Sequence, residues 1–273
     1  MLGQQFDLIS DIHVDFWVNQ DNKRMSDFVR SLLPTTPSRV LVIAGDIGHY
    51  NSQNELLLNE LKHYYEFIIL TFGNHDLYLI SKQMSGKYKH DSLLRKADMK
   101  KRSDKIKGVT YLDGNTVTIN GITYGGTGMW YDYSYARLTF NTPLEILYKL
   151  WLTSSNDANF VKGQAHDIAR FAEIERVKLR NIIDQTDVII THVGPDWSQL
   201  IDEYQGDLFT SFYYFDGQEF FSHIKEKTWC YGHTHVRYDY SQHNCRFINA
   251  SLGYPPVGYR HLDKINKIIT VEI

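Results

Sequence analysis

The chain has few cysteines: Cys230 and Cys245 are the only two in 273 residues. That is too few for a disulfide-stapled secreted scaffold, and a chain of this length can hold a core without them. A reducing compartment is therefore expected, with the cytoplasm as the default location. There is no apolar run of 18 residues, so no membrane span is expected. The N-terminal stretch MLGQQFDLISDIH lacks the charged and apolar regions of a signal peptide. Charge is nearly balanced, at −3 formally with a pI near 6.4, which excludes a globally basic nucleic-acid binder. What is present in excess is histidine, twelve in all, and neutral imidazole is the commonest nitrogen ligand of transition metals.

With 42% hydrophobic residues the chain can build one sizeable core, read as a single domain over residues 1–273. Short apolar runs rich in β-branched residues predict buried strands at 6–10, 40–44, 67–71, 122–125 and 188–191, with further strands at 228–231, 246–249 and 268–271. Helical spacing marks 25–33, 56–65 and 165–183. Strands alternating with helices first, and hairpin-like strands later, imply a mixed, layered α/β sheet. Insertions are expected near 80–108 and 131–165. Within the first, residues 82–107 carry ten Lys or Arg against three Asp; within the second, 131–160 is rich in aromatics and Asn. Loops of this kind usually shape binding sites.

The chemistry lies where the strands stop. The first delivers Asp11 and His13, the second Gly45-Asp46, and the third Gly73-Asn74-His75-Asp76. Later strands lead into His192, and into His233 and His235. Ligands in open α/β sheets gather outside the carboxyl ends of the strands, so these segments can share one cleft. A phosphoester resists attack because its oxygens are anionic. Two cations about 3.5–4 Å apart neutralise them and turn water into a nucleophile. Such a pair needs a bridging carboxylate, and a mixed carboxylate, imidazole and amide set suits Mn, Fe, Zn, Ni or Co better than Ca. Gly45, Gly73 and Gly232 are expected to allow sharp turns beside the ions.

Asp11-x-His13, Gly45-Asp46, Gly73-Asn74-His75-Asp76, Thr191-His192 and Gly232-His233-Thr234-His235 together resemble the calcineurin-like metallophosphoesterase superfamily. The runs 41–48, 126–130 and 229–235, followed by Asp239-Tyr240, are similar to its small, single-domain bacterial and phage branch. The resemblance implies a four-layer αββα sandwich of mixed sheets. It implies two divalent transition-metal ions, manganese foremost, with Asp11, His13 and His235 on one, Asn74, His192 and His233 on the other, and Asp46 between them. It also implies in-line attack by a metal-bound hydroxide with no covalent enzyme intermediate. His75 would contact the phosphate and assist the leaving oxygen, with Asp76 orienting its ring. The protein Ser/Thr phosphatases continue from Gly-Asp with an Asp-Arg pair where this chain has Gly48-His49-Tyr50, which argues against a protein phosphatase.

An Asp-x-His alone carries little weight, but Gly-Asn-His-Asp and Gly-His-Thr-His in order after strands are specific together. His192 is the least distinctive member. Among the other histidines, His63, His90, His166, His223, His243 and His261 are expected at surface or structural positions, whereas His49, three residues after Asp46, is expected either to reach the cleft or to face solvent on its loop. The basic segment reads first as a solvated helical face, with a polyanion-attracting border as the alternative. Phe209, Phe212, Tyr213, Tyr214 and Phe215 read as packing residues, with base stacking as the alternative. The expected partner is thus a phosphoester, a diester in preference to a monoester, with nucleotides or nucleic acid within range and no membrane. A polymer nuclease and a non-catalytic binding scaffold on the same fold are the competing readings.

Overall fold

The computed structural model describes residues 4–19, 21–257 and 268–273. Eleven strands among them form two sheets. They are β1 (Gln5–Ile9), β2 (Val40–Ala44), β3 (Phe67–Thr71), β4 (Val109–Tyr111), β5 (Asn115–Ile119) and β6 (Ile122–Gly126), then β7 (Val188–Ile190), β8 (Thr228–Tyr231), β9 (Tyr238–Gln242), β10 (Cys245–Asn249) and β11 (Ile269–Glu272). The first sheet runs β11-β1-β2-β3-β4 and the second β5-β6-β7-β8-β10-β9. Strands β1 to β4 are mutually parallel, as are β6, β7, β8 and β10, while β11, β5 and β9 pair antiparallel at edges.

The alternation of side chains along the strands sets the layers. Phe6, Leu8, Val40, Val42, Ala44 and Ile69 of the first sheet meet Tyr124, Val188, Ile190, Cys230 and Ile248 of the second. The intervening Leu41, Ile43, Ile68, Leu70, Ile189, Trp229 and Phe247 turn outward into the larger core beneath the helices. The result is the expected four-layer α/β sandwich, apolar on both faces of each sheet. Cys230 and Cys245 are free and buried within it.

The helices are α1 (Val14–Val18), α2 (Met25–Leu32), α3 (Asn51–Leu61), α4 (Lys82–Lys87), α5 (Ser92–Ser103), α6 (Ser134–Phe140), α7 (Leu144–Ser154), α8 (Asn156–Phe160) and α9 (Ile168–Arg180). None of the described helices is long and apolar enough to cross a membrane. The helix expected at 56–65 starts earlier, because Asn51 and Asn54 are buried and donate to the Arg95 and Gly48 carbonyls, at 2.9 and 3.0 Å. The helix expected at 165–183 begins after the Asp167 cap, whose carboxylate accepts from the Arg170 N–H. The basic segment forms α4 and α5, and it is less solvated than its charge suggests. Arg95 is fully buried and donates to the carbonyls of His75, Tyr78 and Gly48, at 2.7, 3.1 and 2.8 Å. Lys96 is buried against Asp113. The aromatic segment supplies α6, α7 and α8.

Candidate metal centre and hydrolytic site

The parallel strands of both sheets open at one end of the sandwich. Asp11 and His13 follow β1, Asp46 follows β2, Asn74 and His75 follow β3, His192 follows β7, and His233 and His235 follow β8. A bridge between Ser10 and Ser251 ties the two sheets together at this rim. Five of these residues leave their strands with left-handed backbones: Asp11 (φ 52°), His13 (45°), Asp46 (56°), His233 (71°) and His235 (55°). Such conformations are uncommon outside glycine and cluster at functional sites. Two neighbouring glycines serve close approach. A Cβ at Gly73 would collide with the Asp46 carboxylate, and one at Gly232 would lie 2.5 Å from Asp11 Oδ2.

The side chains converge in three overlapping groups, each compact enough to hold a cation: Asp11, His13 and His235; His13, Asp46 and His75; and Asp46, His192 and His233. Asp46 Oδ2 lies 3.3 Å from His192 Nε2 and 3.8 Å from His13 Nε2. Asp11 Oδ1 lies 3.4 Å from His235 Nε2 and 4.0 Å from His192 Nε2. Asn74 Oδ1 is 3.1 Å from His192 Nε2. The facing Nε2 atoms of His13 and His235 are 3.0 Å apart, so two lone pairs oppose each other unless a proton or cation sits between. All seven sequence candidates are therefore in one place, and their donor set fits borderline divalent metals.

Outer contacts aim these groups. His192 Nδ1 donates to the Ala44 carbonyl at 2.9 Å and turns Nε2 inward, while His233 Nε2 donates to the Phe212 carbonyl at 2.8 Å and leaves Nδ1 free. Asp11 Oδ2 accepts from the hydroxyls of Ser10 and Ser251, each at 2.6 Å. Burial disfavours the charged form of Asp46, yet His192, His75 and His13 hold it well below the usual carboxylate range. Burial likewise opposes charging of His192, but the Asp46 and Asp11 carboxylates push it up to about 10. Desolvation brings His13 down to about 4.

His75 Nδ1 lies 2.9 Å from His49 Nε2, and His49 Nδ1 lies 2.7 Å from Asp15 Oδ2. A carboxylate only accepts, so His49 Nδ1–H donates to Asp15, and His49 Nε2 and His75 Nδ1 share one proton between them. His75 Nε2 is thereby presented to the cleft, where the Tyr254 hydroxyl sits 3.1 Å away. Asp76 does not take the expected place at the imidazole. Its Oδ2 accepts from the N–H groups of Asp46 and Gly73, at 2.9 and 2.8 Å, and so knits two ligand loops together. Burial beside Asp46 pushes its carboxyl up to about 6. Sequence reasoning missed Asp15, Asp157 and Tyr254. The spacing Asp11-x-His13-x-Asp15 offered a signal for the first; the other two lie in segments without a motif.

A cleft of about 380 Å³ opens over these groups, lined by Ser154, Ser155, Asn156 and Asp157 together with Tyr204, Phe209, Phe212 and Tyr213. The late aromatics divide accordingly: Phe209 and Tyr213 are exposed at the cleft, while Phe212, Tyr214 and Phe215 are buried. No residue of 82–107 lines it among the described residues, so the basic segment is not its border. A larger hollow of about 580 Å³, at Tyr133, Leu144, Tyr148 and His166, contains none of the candidate metal residues. His261 lies outside the described residues.

A family profile described as calcineurin-like phosphoesterase matches residues 5–237. No curated protein gives a significant match. Among solved structures, the chain is similar to the phosphopantetheinyl hydrolase PptH of Mycobacterium tuberculosis, with TM-score 0.70 and 18% identity over 93% of this chain and 90% of that one. It is also similar to TT1561 of Thermus thermophilus, with TM-score 0.52 and 9% identity over 99% of both chains. At such identities the likeness establishes the fold, and the profile, which spans most of the chain and every motif at the rim, establishes the family. The chain belongs to the calcineurin-like phosphoesterases and is a phosphoesterase enzyme.

Proposed function

We propose that the chain is a hydrolase of phosphodiesters with a two-metal centre, in which Asp11, His13 and His235 hold one ion, Asn74, His192 and His233 hold the other, and Asp46 bridges them. The observation that carries this reading is Asp46 Oδ2 lying within 4 Å of both His13 Nε2 and His192 Nε2, one from each trio. Two divalent cations, manganese by preference, would neutralise the phosphoryl oxygens and make a water nucleophilic. The chain's own residues do the rest. His75, its Nδ1 pinned by the Asp15–His49 pair, presents Nε2 toward the departing oxygen, and Tyr254 shares that position. Asp76 fixes the loops of Asp46 and Gly73 against each other.

The diester preference is supported by the cleft, whose lining adds hydroxyl, amide and aromatic groups to the metal residues and so offers contacts to an organic substituent on the phosphate. The phosphopantetheinyl substrate named for the similar PptH, a phosphate joined to an organic arm, is compatible with such a cleft. The buried free thiols fit a reducing cytoplasm. No candidate ligand is missing, which speaks against a bare scaffold.

The test is to strip the protein of metal, reload it separately with Mn²⁺, Fe²⁺, Zn²⁺, Ni²⁺, Co²⁺ and Mg²⁺, and compare aryl monoesters with alkyl-aryl and diaryl diesters. Metal-dependent hydrolysis with higher kcat/KM on diesters is expected. Absence of both bound metal and hydrolysis overturns the assignment, and faster monoester cleavage overturns the diester preference.

A further inference from the structure

Asp157 is a buried carboxylate with no cation beside it among the described residues. It lies in the first turn of α8, in the aromatic insertion, 83 residues beyond Asn74. Its Oδ1 accepts from Asn74 Nδ2 at 2.8 Å and from the Tyr78 hydroxyl at 2.5 Å, and its Oδ2 accepts from the Tyr131 hydroxyl at 2.6 Å. The Trp151 indole N–H donates in turn to Tyr131, at 2.6 Å. Those donors reach other parts of the site: Tyr78 packs on His75 with ring centroids 4.3 Å apart, and Tyr131 stacks parallel to His233 at 6.4 Å.

An amide side chain has one end that can bind a cation and one that cannot. Carboxylate oxygens accept and never donate when ionised, so Asp157 can pair only with the NH₂ end of Asn74. The oxygen end is then forced toward His192 Nε2, 3.1 Å away. We infer that Asp157 is a positioning residue that sets the polarity of the Asn74 amide and thereby builds the metal site shared by Asn74, His192 and His233. The inference rests on the two-metal reading above. It gives the 131–165 insertion a defined role, since through Asp157 the insertion orients a ligand delivered by the core sheet. Outer partners of metal ligands typically carry about 10–100-fold in metal affinity.

The experiment measures Mn²⁺ and Zn²⁺ stoichiometry and affinity by calorimetry on metal-stripped full-length protein, with circular dichroism and a thermal melt as the folding control. Wild type is expected to bind two ions, and Asp157→Asn to bind one of them roughly 10–100-fold more weakly. Asn74→Asp places a second carboxylate against Asp157, whereas the double variant Asn74→Asp/Asp157→Asn exchanges the two polarities and restores the pair. The double variant should therefore bind the second ion more tightly than Asn74→Asp alone, although it carries one negative charge fewer. Unchanged affinity in Asp157→Asn overturns the inference. If that variant does not fold, the comparison of the double variant with Asn74→Asp decides alone, and tighter binding by Asn74→Asp overturns the inference. Wild type that binds no metal instead sinks the two-metal reading itself.

Discussion

At the scale of single residues, the left-handed backbones of Asp11, His13, Asp46, His233 and His235 each cost on the order of 1–3 kcal/mol unless the surroundings compensate. The folded chain holds these carboxylates and imidazoles against local preference. Asp46→Asn and His233→Ala should each lose bound metal and turnover by more than the roughly 10–100-fold that outer partners cost, as elemental analysis and initial rates will read. His75→Ala should keep its metal and lose rate. The Asp15–His49 pair makes a sharper case, because its effect depends on the leaving group. His49→Ala should slow alkyl esters far more than p-nitrophenyl esters, whose leaving oxygen needs little protonation, and His49→Gln, which keeps a hydrogen-bond partner for His75 Nδ1, should recover part of the loss. Equal losses on both ester classes would reduce His49 to a packing residue. The seven metal candidates and His75 were legible because each sits in a short motif directly after an apolar run. Asp15, Asp157 and Tyr254 were not, since their meaning depends on partners 34, 83 and 179 residues away.

At the scale of elements, buried parallel strands were legible nearly to the residue because both of their faces are apolar. The misses are short or at edges. β4 has three residues, while β5 and β9 are half-exposed strands whose Asn, Thr, Tyr and Asp dilute the apolar signal. The arm at 131–160 hid three helices, since α7 buries only Leu147 and Trp151. Segment 82–107 misled in another way, because charge counting cannot separate a solvated cation from Arg95, which clamps three carbonyls around the His75 loop. Arg95→Met should strand those carbonyls at about 1–3 kcal/mol each, less what water recovers. Urea unfolding of the metal-free protein is the measurement. A midpoint equal to wild type would show that the clamp does not stabilise the fold.

At the scale of the whole molecule, the site is a seam: candidate ligands from loops of both sheets meet around Asp46, so metal held as proposed would join the halves of the sandwich. An ion at a hundred times its dissociation constant stabilises the native state by about 2.7 kcal/mol, and chelation should lower Tm accordingly. The effect has a pH sign. Without metal, His192 keeps its proton up to about 10, so an incoming ion must displace that proton. The metal-induced rise in Tm should therefore shrink between pH 8 and pH 6, and differential scanning at both values will show it. A rise that grows on acidification would contradict the placement of His192 at the ion.

The antiparallel pairing of β1 with β11 extends this to biosynthesis. β1 leads into the first two candidate ligands yet lies between β2 and the strand formed by Ile269–Glu272, with Gln5 opposite Glu272 and Leu8 opposite Ile269. A nascent chain can assemble β1 to β4 early, but one flank of β1 stays unpaired until β11 has left the ribosome. During that interval an apolar strand edge is open to other chains. Ribosome stalling or clipping ahead of residue 268 should thus yield aggregates instead of a slightly weakened enzyme.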